Sequence, residues 1–175
     1  MSVRADAPTV TEFTTRTTEV SKLYQEGIVA GVVGAATIAV WFLILDTIAG
    51  RPFFTPTVLG TAIFRRGAGL DSAATLPASF DMVLAFTWLH VLVFAVIGGV
   101  AARLIGFAEH RPNLGFAVIL FCVIFEFGFT IGAMVFAQDV LHAVAWSKVL
   151  AGNLLAATAM ALYFWRRHPQ LIIEP

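Results

Sequence analysis

Four long apolar segments constrain this chain more than any other feature of its sequence. An α-helix rises about 1.5 Å per residue, so a segment of about 23–26 residues reaches about 35–39 Å and can cross a hydrocarbon core of about 30 Å with some tilt. The sequence therefore predicts an all-α, polytopic membrane protein with four transmembrane helices in an antiparallel bundle. The four segments cover residues 27–49, 80–105, 113–137 and 143–165.

The composition agrees with a lipid environment. Hydrophobic residues make up 59% of the chain and charged residues 13%, whereas a soluble domain is about 45–50% apolar and about 25% charged. This balance excludes a soluble enzyme, a disordered tail and a secreted disulfide scaffold. The 11 basic and 11 acidic residues give a net charge of zero. No helix face is dense in basic residues, so we expect no nucleic-acid partner.

The polar segments outside the spans complete the predicted organisation. Residues 1–26 form a polar N-terminal segment, either an amphipathic helix on the membrane or a flexible tail. Residues 169–175 form a short C-terminal tail that follows the transmembrane domain of residues 27–168. With the N-terminus in the cytoplasm, seven cations lie inside and four outside, so the charge rule places both termini in the cytoplasm of a bacterial inner membrane. The inner set is Arg4, Arg16, Lys22, Arg103, Arg111, Arg166 and Arg167; the outer set is Arg51, Arg65, Arg66 and Lys148.

The first outer loop is the longest and contains a helix signal. Thr55 as N-cap and Pro56 at the first helical position predict a short helix that ends near Arg66. About 11 residues cannot cross a bilayer, so we expect this helix to lie at the interface or to dock on a partner. After the loop, Ser79 is a candidate cap for the second span, with Asp81 in its first turn. The predicted apolar side of the short helix is Val58, Leu59, Ala62 and Ile63.

Polar residues within the spans are the candidate functional residues. His90, Glu126 and Asn153 come from three different segments, and each lies about 15–18 Å deep. Thr130 follows Glu126 by one turn on the same helix face. Polar groups at this depth face the bundle interior and pair, so we predict a hydrogen bond between Glu126 and His90, with Asn153 as a further partner. The site is a polar clasp that fixes helix register, or it handles a proton or ligand.

A metal site is not expected among these residues. A catalytic zinc site takes about three protein ligands and a di-iron bundle takes several carboxylates, and only one Glu and one His meet at this depth. Nearer the outer surface, a second polar set is a candidate mouth of an access route. For Asp46 in that set, a salt bridge with Arg51 or a loop anchor is the alternative. The set is Asp46, Asp139, His142 and Lys148.

Small and aromatic residues indicate how the helices pack. Small residues recur four apart in every span, which favours close helix packing, either within the bundle or against another protein. Phe residues surround the third span and face lipid, or line a groove for a lipid tail, quinone or carotenoid. Trp residues lie towards the segment ends, as interfacial aromatics do. They are Trp41, Trp88, Trp146 and Trp165.

Two stretches carry a resemblance to a family. Trp41–Asp46, followed by Ala49-Gly50-Arg51-Pro52 and Phe54-Thr55-Pro56, resembles a pattern in small bacterial four-helix integral membrane proteins, and so does the ending from Asn153 to Pro169. The resemblance covers most of the chain. It implies a bacterial origin and does not indicate an activity.

The functional expectation combines these observations. The sequence has no phosphate loop, nucleophile elbow or zinc-binding H-E-x-x-H motif. We therefore expect a non-catalytic accessory subunit of a larger membrane complex, surrounded by lipid and by other integral subunits or further copies of itself, with no cofactor. The alternatives are a small proton-linked carrier or channel that uses His90 and Glu126, and a protein that binds a quinone or pigment.

Overall fold

The computed structural model describes residues 10–66, 70, 76–110 and 146–167, with side chains over 21–66, 70, 76–106 and 146–167. The regular secondary structure of this part of the chain is helical, with no strand. Three stretches are long and apolar enough to cross a membrane: Ser21–Ile48, Phe80–Gly106 and Trp146–Arg167. These confirm the first, second and fourth predicted spans, and the third, residues 113–137, lies outside the described residues. The helices are α1 (Val10–Ile48), α2 (Phe54–Phe64), α3 (Phe80–His110) and α4 (Trp146–Arg167).

Helix α1 is the longest element and runs without interruption through the predicted boundary at residue 26. Its 39 residues contain no proline and extend over about 58 Å. The first 11 of them precede the apolar stretch, so α1 projects about 16 Å beyond it. Gly50 follows the helix with a φ of +69°, the left-handed conformation in which many helices end.

Helices α1 and α3 cross with their backbones in contact. A Cβ on Gly27 would lie 2.6 Å from the carbonyl oxygen of Gly98, so neither helix tolerates a side chain at the crossing. Leu23 lies against Gly106 and Gly31 against Phe94, so the two helices run in opposite directions. The small residues of α1 and α3 therefore face each other, which is the self-packing alternative of the sequence analysis.

Helix α4 packs on another side of α1, also in the opposite direction. Gly34 lies against Met160, and Gly152 lies against Trp41. Between these contacts, Ala156 joins Ile38 and Phe42 in a buried cluster. Helix α1 is thus the element on which both of the other long helices pack.

These contacts place each residue of α3 and α4 beside a residue of α1, and we call the number of that α1 residue its level. They also define two ends of the molecule. At the α2 end, α1 finishes and α3 and α4 begin; at the far end lie Ser21, Gly106 and Arg167. Trp146 is level with about residue 48 of α1 and Trp165 with about residue 29. Trp88 is level with about residue 39, midway between them, and is 75% exposed. Trp88 follows the start of α3 by eight residues, or about 12 Å, so it lies further from a helix end than Trp146 or Trp165.

Candidate functional site

The candidate site with the most complete geometry is centred on Asp46, in the last turn of α1. Its side chain is 6% exposed. One carboxylate oxygen accepts a hydrogen bond from the backbone N–H of Thr55 at 2.7 Å, and the other accepts from the Thr55 hydroxyl at 2.8 Å. Asp46 therefore anchors the loop to the end of α1, which is the loop-anchor alternative for this residue.

The Asp46 carboxylate caps α2 from nine residues away in the sequence. The sequence predicted Thr55 as N-cap, but α2 begins at Phe54, and Phe53 stands at the cap position without a side-chain hydrogen bond. Phe54 N–H donates to the carbonyl of Arg51, Thr55 N–H to Asp46, and Thr57 N–H to the carbonyl of Phe53. Pro56 has no N–H, so every donor of the first turn is satisfied. A carboxylate is also favoured here by the helix dipole.

The buried face of α2 is polar and small rather than apolar. Among the residues of the predicted apolar side, Val58 is buried and Ile63 is exposed. The reason is close contact with α3: a Cβ on Gly60 would lie 2.5 Å from the carbonyl oxygen of Met82, which leaves room for small side chains only. The buried residues of α2 are Thr55, Thr57, Val58, Gly60 and Thr61.

Two of the polar groups on this face connect α2 to the start of α3. The Thr57 hydroxyl donates to the carbonyl of Phe53 at 2.7 Å and accepts from the backbone N–H of Ser79 at 3.3 Å. The Ser79 hydroxyl donates to the Asp81 carboxylate. Asp81 also pairs with Arg65 at 2.9 Å. Both partners are exposed, so this ion pair contributes little to stability.

The predicted outer mouth is only partly described. Asp139 and His142 lie outside the described residues. Asp46 is buried against Thr55. The Lys148 side chain is exposed, while its backbone carbonyl accepts a hydrogen bond of 3.0 Å from the indole N–H of Trp41. An access route lined by all four residues stays a prediction.

His90 is the described member of the deep polar layer whose surroundings are best defined. Its ring stacks on Phe86, with centroids 5.5 Å apart, and lies 4.7 Å from the ring of Phe94. Its Nε2 atom is buried and has no hydrogen-bond partner among the described residues. A buried polar atom of this kind calls for a partner, because leaving it unpaired costs about 1–3 kcal/mol.

The predicted partners of His90 have different outcomes. Glu126 and Thr130 lie outside the described residues, so the hydrogen bond from Glu126 stays a prediction. Asn153 is half-buried on α4, level with about residue 41 of α1, and His90 is level with about residue 37. The two side chains therefore lie within about 6 Å of the same depth.

The sequence analysis named Asp46 as a possible loop anchor but did not identify Thr55 as its partner. The signal was present, because an aspartate at the end of an apolar helix precedes a Thr-Pro pair by nine residues. The part of the chain that the structure describes contains no group of three or more His, Cys, Asp or Glu side chains placed to hold a metal ion. No protein-family model, no curated protein and no solved structure matches the chain.

Proposed function

We propose that this chain is a non-catalytic accessory subunit of a larger complex in a bacterial inner membrane. It would cross the bilayer four times as an antiparallel bundle with both termini in the cytoplasm. The charge count supports the orientation, and the residue pattern at 41–56 supports the bacterial origin. Helix α3 ends at the far end and α4 begins at the α2 end. The predicted span of residues 113–137 would connect these two ends.

The tryptophans of α4 suggest where the bilayer lies. Trp146 and Trp165 are both exposed and stand 19 residues apart, which corresponds to about 28 Å, close to the thickness of a hydrocarbon core. Exposed Trp side chains with this spacing fit the two interfacial belts. Helix α2 lies at the Trp146 end, with Phe53, Ile63 and Phe64 exposed. This position supports an interfacial role for α2.

The exposed Trp88 carries the accessory-subunit proposal. With the bilayer placed in this way, Trp88 lies about 14 Å from either belt, in the middle of the hydrocarbon. Its indole N–H is a donor that lipid tails cannot satisfy. Leu84, Leu92 and Val96 are exposed on the same side of α3 at helical spacing. A partner helix that offers an oxygen acceptor would satisfy the indole and cover this face.

The mass of the native particle in mild detergent tests the proposal. We expect a mass far above 18.9 kDa, with unrelated chains present, and we expect Trp88→Ala to release them. Trp165→Ala is the matched control, because it removes an equally exposed Trp from an interfacial position and should leave the complex intact. A particle with the mass of one copy would contradict the proposal.

The Nε2 atom of His90 has no hydrogen-bond partner within the described part of the chain, which favours a second candidate, a small proton-linked carrier or channel. In this alternative, Glu126 supplies the partner, and the pair exchanges a proton within the membrane. Glu126→Gln should then abolish proton flux into vesicles and leave the particle mass unchanged. For an accessory subunit the same substitution leaves any flux unaffected. A coloured or redox-active extract would instead indicate a bound pigment or quinone.

A further inference from the structure

We propose that the far end of the molecule binds the phosphate headgroups of anionic phospholipids through a rim of four cations. The rim draws on all three long helices of the described structure. The contact of Leu23 with Gly106, and the cluster that Phe164 forms with Ala102 and Ala30, bring these helix ends together. All four cationic side chains are exposed. We call them the basic rim: Lys22 on α1, Arg103 on α3, and Arg166 and Arg167 on α4.

The depth of the basic rim matches a headgroup layer. Arg166 and Arg167 are level with about residues 27–28 of α1, and Arg103 with about residue 24. Trp165 is level with about residue 29, so the rim begins just beyond it and ends within about 10 Å. A bilayer of about 40–45 Å with a core of about 30 Å has headgroup layers of about 5–8 Å, which long cationic side chains can reach from these positions.

Aromatic side chains lie beside the basic rim. Tyr24 and Trp165 are exposed beside it, as expected where lipid tails meet headgroups. The guanidinium of Arg167 lies 5.7 Å from the centre of the Tyr163 ring, within the range of a cation–π contact. The cation is therefore positioned at the aromatic level, where a lipid phosphate would meet it.

The charge balance within the levels of the basic rim favours an anion. Between the levels of Arg167 and Lys22, Glu26 is the one described acidic side chain, and it is half-buried, so four cations share these levels with one carboxylate. Glu19 on α1 and Glu109 on α3 lie beyond these levels. Cations close to an anionic membrane surface each strengthen binding by about fivefold. This inference does not depend on the accessory-subunit role.

Lipid retention by the full chain tests the inference. The purified protein is offered phosphatidylglycerol and phosphatidylcholine with the same acyl chains, and bound lipids are counted by native mass spectrometry. We expect the wild type to retain phosphatidylglycerol preferentially. Replacing Lys22, Arg103, Arg166 and Arg167 together by Gln should remove this preference. The Arg166→Gln/Arg167→Gln pair should lower it by about 25-fold and keeps the test valid if the quadruple variant does not fold.

A control pair and a competitor complete the experiment. Arg65→Gln/Arg66→Gln removes two exposed cations from the α2 end and should leave the preference unchanged. Inorganic phosphate at the same concentration should not displace the lipid, because it lacks the acyl chains that seat beside Trp165. Equal retention of both lipids by the wild type, an unchanged preference in the Arg166/Arg167 variant, or displacement by inorganic phosphate would each overturn the inference.

Discussion

Asp46 illustrates how a carboxylate can be buried at the end of an apolar helix with backbone and hydroxyl donors as its partners. Both of its oxygens receive hydrogen bonds from Thr55, and the N-terminus of α2 supplies a favourable dipole. Removing the carboxylate would leave the Thr55 N–H buried without an acceptor. That loss costs more than a surface ion pair contributes.

Asp46→Ala should loosen α2 while the long helices stay folded. An unpaired buried N–H costs about 1–3 kcal/mol, so hydrogen exchange over residues 54–64 should accelerate about tenfold or more. The measurement is amide exchange of the full chain in detergent. Asp46→Asn is the control, since an amide oxygen can still accept from Thr55 N–H and should retain most of the protection. Unchanged exchange in Asp46→Ala would show that α2 is held by α3 alone.

At the scale of the helices, close backbone contact determines what can pack. The sequence predicted the three described spans, because length and hydropathy alone define them. It did not predict which face of α2 is buried. That face depends on the approach of Gly60 to Met82, which is 22 residues further along. The level of Trp88 along α1 also depends on a distant contact, since the position of α3 is set by where Gly98 meets Gly27.

Adjacent glycines in α3 provide a matched test of the α1–α3 crossing. A Cβ on Gly98 would collide with the backbone of Gly27 and Gly31, whereas a Cβ on Gly99 would have Tyr24 Cδ1 as its nearest neighbour, at 3.9 Å. Gly98→Ala should therefore destabilise the protein by about 1–3 kcal/mol. Gly99→Ala should be neutral or stabilise it by up to about 1 kcal/mol through helix propensity.

Thermal unfolding of the two variants in the same detergent gives the comparison. A lower Tm for Gly98→Ala and an equal or higher Tm for Gly99→Ala is the expected pattern. If both variants unfold at the same temperature, the two helices do not cross at Gly27 and Gly98.

At the scale of the whole molecule, the beginning of the α1 span and the end of α4 share one end. Phe164 and Ala30 belong to the same buried cluster, so Ser21 and Arg167 lie together at the far end. The sequence analysis placed both termini on one side of the membrane from the charge count, and that orientation stays a prediction. The deep pair of His90 and Glu126 could be predicted only as far as a common depth, because helix rotation decides whether two side chains meet, and apolar periodicity defines rotation weakly when helices are hydrophobic all round.

Cysteine labelling tests this arrangement in sealed vesicles. In a Cys122→Ser background, Ser21→Cys and Arg167→Cys should react with a membrane-impermeant maleimide from the same side. Arg66→Cys, at the α2 end, should react from the opposite side. Labelling of Ser21→Cys and Arg167→Cys from opposite sides would mean that the chain crosses the membrane an odd number of times.

The contact between Asp46 and Thr55 also has a consequence for the order in which the protein assembles. It joins residues nine apart, and closing so short a loop costs little chain entropy, whereas the crossing at Gly27 and Gly98 joins residues 71 apart. Helix α2 can thus dock on the end of α1 through the Asp46–Thr55 contact while the rest of the chain is still being synthesised. Helix α3 then packs against α2, where the Thr57 hydroxyl oxygen is already in place to accept the hydrogen bond from the Ser79 backbone N–H.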